Sequence, residues 1–153
     1  MKKFGLTLVI LTTFILLSGC SKKTAITYNE FKEKSEKEKY TVVDVKDQFG
    51  QYDYVKGAYL AVSSDATYQI EFYTFENSEN AKAFYDLNKP RLESEGVGSN
   101  IYTNADSKNY NKYTLTTDEK YNSITRIDNT IIYSSNNVKY KDKITNIIKK
   151  LGY

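Results

Sequence analysis

Cys20 is the one thiol in this 153-residue chain, and there is no histidine. The usual general base near neutral pH and the commonest metal ligand are therefore both missing. A serine or cysteine nucleophile served by an imidazole cannot be assembled. No P-loop, dinucleotide-binding glycine pattern, Ser-x-x-Lys or EF-hand spacing occurs either. What remains is carboxylate chemistry. Two carboxylates flanking a glycosidic bond suffice for hydrolysis, and Asp44 with Asp47, or Glu71 with Glu76, are conceivable pairs. Among 19 acidic residues some always lie near one another, and acids mostly sit solvated at the surface, so nothing selects either pair. The expectation is a protein that is not an enzyme, with no cofactor and no metal site. One cation stands apart: Arg126, between Ile124 and Ile127 and just before Asp128. It either pairs with a carboxylate across the sheet or binds an anionic group, and the preference of arginine for structural carboxylate pairs favours the first.

The setting of Cys20 gives it a different role. Met1-Lys2-Lys3 is a short basic segment, and Phe4 to Leu17 is an apolar run broken only by Gly5, Thr7, Thr12 and Thr13. A helix needs roughly 20 apolar residues to span a bilayer, so this run has the length of a cleaved export signal. Ser18 and Gly19 are small, as a signal peptidase requires. Leu17-Ser18-Gly19-Cys20 resembles the lipobox of bacterial lipoproteins. That resemblance implies a diacylglyceryl group on the Cys20 sulfur and cleavage before Cys20. At about 0.8 kcal/mol per buried methylene, one acyl chain binds a membrane marginally and two bind it stably. Residues 1–19 are then the signal peptide, 20–25 the lipidated cysteine with a short tether, and 26–153 a single extracytoplasmic domain at the cell membrane.

Removing Lys2 and Lys3 leaves 20 basic against 19 acidic residues. A nearly neutral domain of this kind lacks the dense basic patch of a nucleic-acid binder. With one cysteine there is no internal disulfide, so stability rests on packing. All 15 tyrosines follow Cys20. They suit half-buried pleated surfaces, which is the favoured reading, although exposed tyrosines would also serve a binding face. The tether can extend at most about 3.6 Å per residue, which keeps the domain near the membrane. Lys22 and Lys23 lie in it, either for solubility or to meet anionic head groups at roughly 1 kcal/mol each.

The elements that must position these groups follow from periodicity. Thr27-Tyr28-Asn29-Glu30 is a capping box with Ile26 and Phe31 as its hydrophobic staple. It predicts a helix from Tyr28 through Lys39, with Tyr28, Phe31 and Ser35 inward. Tyr40 to Val45 reads as a strand, and residues 46–57 stay ambiguous between a short helix and a loop. Ala58 to Ser63 and Tyr68 to Phe75 form a hairpin around Ser64-Asp65-Ala66-Thr67. In its second strand, Tyr68, Ile70 and Phe72 share one face, with Gln69 and Glu71 on the other. Asn77-Ser78 opens a helix that sets Ala81, Phe84, Tyr85 and Leu87 against the sheet, and Pro90 is expected to end or kink it. Gly96 and Gly98 open a polar loop to about Asn109. Three strands follow, Tyr110 to Thr116, Tyr121 to Ile127 and Thr130 to Ser134, as an antiparallel meander with a tight Asp128-Asn129 turn. Ile144, Ile147, Ile148 and Leu151 mark the last helix, with Tyr140 one turn earlier, Asn136 or Asn137 as its cap and Gly152 just beyond its end. The fold class is α+β: an antiparallel β-sheet with about three helices packed on it, possibly as two hairpin-helix halves.

The mature part also resembles small lipoproteins of Gram-positive bacteria. The likeness lies in Ile26-Thr27 before Phe31, Tyr68-Gln69-Ile70-Glu71-Phe72-Tyr73 leading to Ala81, Tyr113-Thr114-Leu115-Thr116-Thr117, Arg126-Ile127-Asp128-Asn129-Thr130 and Leu151-Gly152-Tyr153. It carries no activity and no catalytic or binding residue. The leading expectation is therefore a non-catalytic binding or interaction domain of the cell envelope. It would be anchored by diacylglyceryl on Cys20 and face an envelope protein or glycan. A receptor for sugars or peptides using exposed tyrosines, and a carboxylate-dependent cell-wall hydrolase, are the alternatives.

Overall fold

The computed structural model describes residues 22–96 and 101–153. Cys20 and the segment read as an export signal lie outside these residues. Helix α1, Tyr28–Lys37, opens on the capping box: the Glu30 amide donates to Thr27 Oγ1 at 3.3 Å, and the Thr27 amide donates to Glu30 Oε2 at 2.7 Å. It stops two residues earlier than the sequence suggests, because Lys39 turns left-handed at φ 67°. The Lys39 and Tyr40 amides then donate back to the carbonyls of Glu36 and Ser35. This reverse-wound closure satisfies carbonyls that the helix end leaves open.

Seven strands follow: β1 Thr41–Asp44, β2 Val55–Val62, β3 Gln69–Phe75, β4 Ile101–Ser107, β5 Tyr110–Thr116, β6 Lys120–Ile127 and β7 Thr130–Asn137. They make one sheet in the order β1-β2-β3-β7-β6-β5-β4, and every neighbouring pair is antiparallel. Helix α2, Ser78–Ser94, joins β3 to the second half, and α3, Lys141–Lys150, closes the chain. The ambiguous stretch after β1 holds a 3₁₀ turn, Lys46–Phe49, with β2 starting at Val55.

Side chains alternate across the sheet, and both faces are covered. Ile70, Phe72, Ile127 and Ile132 pack with Phe31 of α1 and with Ile144, Ile147, Ile148 and Leu151 of α3 and its end. On the other face Tyr73, Phe75, Tyr113, Leu115, Ile124 and Ile131 pack with Ala81, Tyr85 and Leu92 of α2. Each fully buried large aliphatic or Phe side chain contributes about 1.5–3 kcal/mol. Asn137 caps not α3 itself but the 3₁₀ turn Val138–Tyr140 that leads into it, accepting from the Lys139 amide at 3.1 Å. Gly152 adopts φ 92° just past the end of α3, where only glycine avoids strain.

Both hairpin-helix halves are present, as β2-β3-α2 and β6-β7-α3. Rotating one hairpin onto the other about the sheet normal would leave the helices on one face, whereas α2 and α3 occupy opposite faces. The halves therefore have opposite hand and do not superpose.

Three expectations are corrected. Pro90 does not end α2, which runs on to Ser94. An interior proline costs about 3 kcal/mol, but beyond it Leu92 is buried on the sheet. Glu95 there accepts from Lys120 and Asn122 of β6 at 3.0 Å each, pulling the last turn onto the same surface. Leu87 is 68% exposed rather than packed, because it lies two residues, about 200° of rotation, from Tyr85. The polar stretch read as a loop contains β4, which pairs with β5 from Ile101↔Thr116 to Ser107↔Tyr110.

Ile147→Ala is expected to lower stability by about 2–5 kcal/mol, through lost burial and a cavity. Leu87→Ala should change it by no more than about 0.5 kcal/mol. Urea unfolding monitored by circular dichroism checks both.

Candidate functional site

The carboxylates named from the sequence do not meet. Glu76 follows β3 and pairs with Lys56 at 3.7 Å, five extended residues, or roughly 16 Å, beyond Glu71. Asp44 accepts from the Lys46 amide at 2.8 Å, closing a turn, and Asp47 is exposed in the 3₁₀ turn that follows. One member of each pair is thus already engaged, Asp44 in a turn and Glu76 with Lys56. Among the described residues no group of three or more acids, cysteines or histidines is arranged to hold a metal ion.

Glu71 is individually unusual. It sits on the α2 face of β3, accepting from the Tyr73 hydroxyl and, at 3.5 Å, from Gln69 Nε2. Burial pushes its carboxyl above the usual carboxylate range, and those two hydrogen bonds only partly oppose the shift. Its partners in the fold are Tyr73 and Gln69, not Glu76.

The tyrosines are mostly structural. Tyr40, Tyr73, Tyr85, Tyr113, Tyr121 and Tyr153 are buried. The exposed ones are scattered: Tyr52 and Tyr54, with ring centroids 5.7 Å apart, precede β2 near one edge of the sheet, while Tyr102 is on β4 at the other.

Arg126 is the group that the fold builds around. It is 3% exposed on β6, beneath α2. Its Nε donates to Asn111 Oδ1 at 2.6 Å, directly across the ladder from it. Its Nη1 donates to the Asp128 carbonyl at 3.0 Å and its Nη2 to the Lys108 carbonyl at 3.2 Å. Asn111 in turn donates to Asp106 Oδ1 at 2.6 Å. The expected carboxylate partner across the sheet is thus replaced by an amide and two carbonyls, and the acid stands one link further out. No carboxylate oxygen among the described residues lies within 4.0 Å of the guanidinium. Register explains the substitution, since β5 carries Asn111, not an acid, opposite Arg126.

The two carbonyls belong to the β4-β5 turn, Lys108-Asn109, and the β6-β7 turn, Asp128-Asn129, which lie at the same end of the sheet as the start of α2. Asn129 Nδ2 ties that end to the Phe75 carbonyl at 2.9 Å. The segment before α1 docks here too: Asn109 Nδ2 donates to the Lys23 carbonyl at 2.8 Å, and Lys23 Nζ lies 5.5 Å from the centre of the Tyr110 ring. Between these parts opens a cavity of about 650 Å³, with Lys22, Lys23, Lys108, Arg126, Ser78 and Asp128 among its lining. Sequence reading singled out Arg126, Lys22 and Lys23 separately. It missed Lys108 and Asn111, because the hairpin turn at Lys108-Asn109 becomes visible only once β4 is recognised as a strand.

Compared with family models, with curated proteins and with solved structures, the chain matches none. Among the described residues no helix is long and apolar enough to cross a membrane.

Two outcomes are expected. Arg126→Ala should destabilise the protein by at least about 2 kcal/mol, because it strands Asn111 Oδ1 and two carbonyls. The raised Glu71 pKa favours the neutral form in the fold, so its contribution is complete at low pH and lost as pH rises through the folded-state value. Glu71→Gln keeps an acceptor for Tyr73 and should match the parent near about pH 4 but exceed it at about pH 7. An equal offset in urea midpoint at both pH values would remove the assignment.

Proposed function

We propose that this chain is a membrane-anchored extracytoplasmic lipoprotein, held by diacylglyceryl on Cys20, whose folded part is a non-catalytic interaction domain of the cell envelope. The observation that carries the reading is the join between lipobox and fold. Lys22 lies within about 7 Å of Cys20 however the two intervening peptide units turn, and Lys23 is already fastened to the end of the sheet by Asn109. A lipid on Cys20 therefore holds that end of the domain against the bilayer, with Lys22, Lys23 and Lys108 toward the head groups. The opposite end and the uncovered edge strand β4, with Ile101 and Tyr102 exposed, face away from the anchor or along the membrane.

The interaction reading fits these features better than its alternatives. A tyrosine-based receptor needs several rings in one concave surface, and the exposed rings here stand at opposite edges of the sheet. A carboxylate-dependent hydrolase needs two acids within roughly 5–10 Å, whereas Glu76 stands roughly 16 Å along the chain from Glu71 and Asp44 is engaged in closing a local turn.

Growth with an alkyne-bearing fatty acid should label the protein, and Cys20→Ala should abolish both the label and cleavage before residue 20. A Cys20→Ala form cut at the same bond and equally membrane-bound would end the proposal. Crosslinking on intact cells should then recover a partner of the envelope.

A further inference from the structure

The cavity at the tethered end has the charge of a ligand site. Four cations, Lys22, Lys23, Lys108 and Arg126, and one carboxylate, Asp128, are among its lining residues. Surface lysines alone would mean little. Arg126 differs because it is built in: 3% exposed, gripped from three sides, and without a carboxylate within 4.0 Å among the described residues. A guanidinium has five N–H donors. Three are committed to Asn111, Asp128 and Lys108, which leaves one on each Nη. Asp128, Asp86 and Asp106 stand near enough to favour its charged form, but none bonds it directly, and a buried cation without a bonded counter-charge is costly. It lies at the wall of an open space of about 650 Å³, within the size range of small-ligand sites.

We propose that this cavity binds a phosphate group. Phosphate brings one to two negative charges and several strong acceptor oxygens. It thereby matches two Nη donors, the ammonium groups around the rim and Ser78, where the positive end of α2 reaches the same space. A single carboxylate would leave most of the surrounding positive charge unmatched. The phosphate is borne by a lipid head group or by a soluble phosphoester. The head group is the nearer source, and that preference rests on the anchoring of Cys20 proposed above. The phosphate site itself rests only on the cavity and its cations.

Titration of the purified full chain in neutral detergent tests this, using inorganic phosphate, glycerol 3-phosphate and a short-chain phosphatidylglycerol, with heat as the readout. Saturable binding that weakens with added salt is expected. Lys108→Glu and Lys23→Glu, both at exposed positions, should each weaken it about tenfold or more, and Asp128→Asn should strengthen it. Arg126→Lys keeps the charge but loses the fork and should bind more weakly even when folded. Tighter binding of phosphatidylglycerol than of the two soluble probes supports the head group, and comparable binding of all three supports a soluble phosphoester. If no probe saturates, or if Lys108→Glu and Lys23→Glu bind undiminished, the site is overturned. The intact mass of the same sample separates the two proposals. Unacylated protein that binds phosphate removes the anchor and keeps the site, whereas acylated protein that binds none does the reverse.

Discussion

Covering one antiparallel sheet on both faces is the constraint from which the rest of this structure follows. Strands β3, β7 and β6 have no solvent side: Phe72, Ile132 and Ile127 look toward α1 and α3, while Tyr73, Ile131 and Ile124 look toward α2. Every side chain on the inner strands must then be apolar, small or fully hydrogen-bonded. Asn122 meets that demand only in part, its Nδ2 donating to Glu95 while its Oδ1 has no partner, and Arg126 commits three of its five N–H donors to Asn111 and two turn carbonyls. The position of α2 is central, because its burial turns the β6 face into an interior and leaves a charged group at its rim. A guanidinium that would be unremarkable on an open sheet becomes, under α2, a desolvated cation fixed to two hairpin turns.

The legible parts of the fold were those whose own residues carry a period. The Ile144, Ile147, Ile148, Leu151 stripe and the Thr27–Glu30 capping box are local statements, and the structure keeps both. The alternation of β3 was also readable, although its apparently outer positions Gln69 and Glu71 continue into the buried Tyr73 and Phe75. What escaped was held by something other than periodicity. β4 reads Ile-Tyr-Thr-Asn-Ala-Asp-Ser and is mostly exposed, because an edge strand pairs through its backbone on one side and buries little. Missing it also hid the Lys108-Asn109 turn, and with it the partners of Arg126. Pro90 has a strong local preference, overridden by tertiary anchoring at Leu92 and Glu95 that no local rule contains.

The same distinction applies to chemistry. Absences were easy to read, since a missing histidine excludes imidazole chemistry wherever the chain goes. Pairings were not, since Asp44 with Asp47 and Glu71 with Glu76 are close in sequence and separate in function: one member of each is a turn or ion-pair residue, and Glu71 answers to Tyr73. Arg126 lay between these cases. Its place between apolar residues was visible in the sequence, but its partner depended on strand register, and one position of register decides whether an amide or an acid stands opposite.

The way the segment before α1 is held bears on what its lysines are for. Asn109 grips the carbonyl of Lys23, not its side chain, so any residue at position 23 would dock the backbone equally well. The ammonium gains only a cation-π contact with Tyr110, about 0.5–1 kcal/mol at an exposed site. Position is thus supplied by the main chain, and the charge is left to act on what lies outside the fold. Lys108 has the same character: its carbonyl serves Arg126, while its side chain lines the cavity. Cations whose backbones have a structural task and whose side chains have none are free to answer an external anion without disturbing the packing behind them. Arg126, committed on three sides, instead sets the geometry that such an anion would meet.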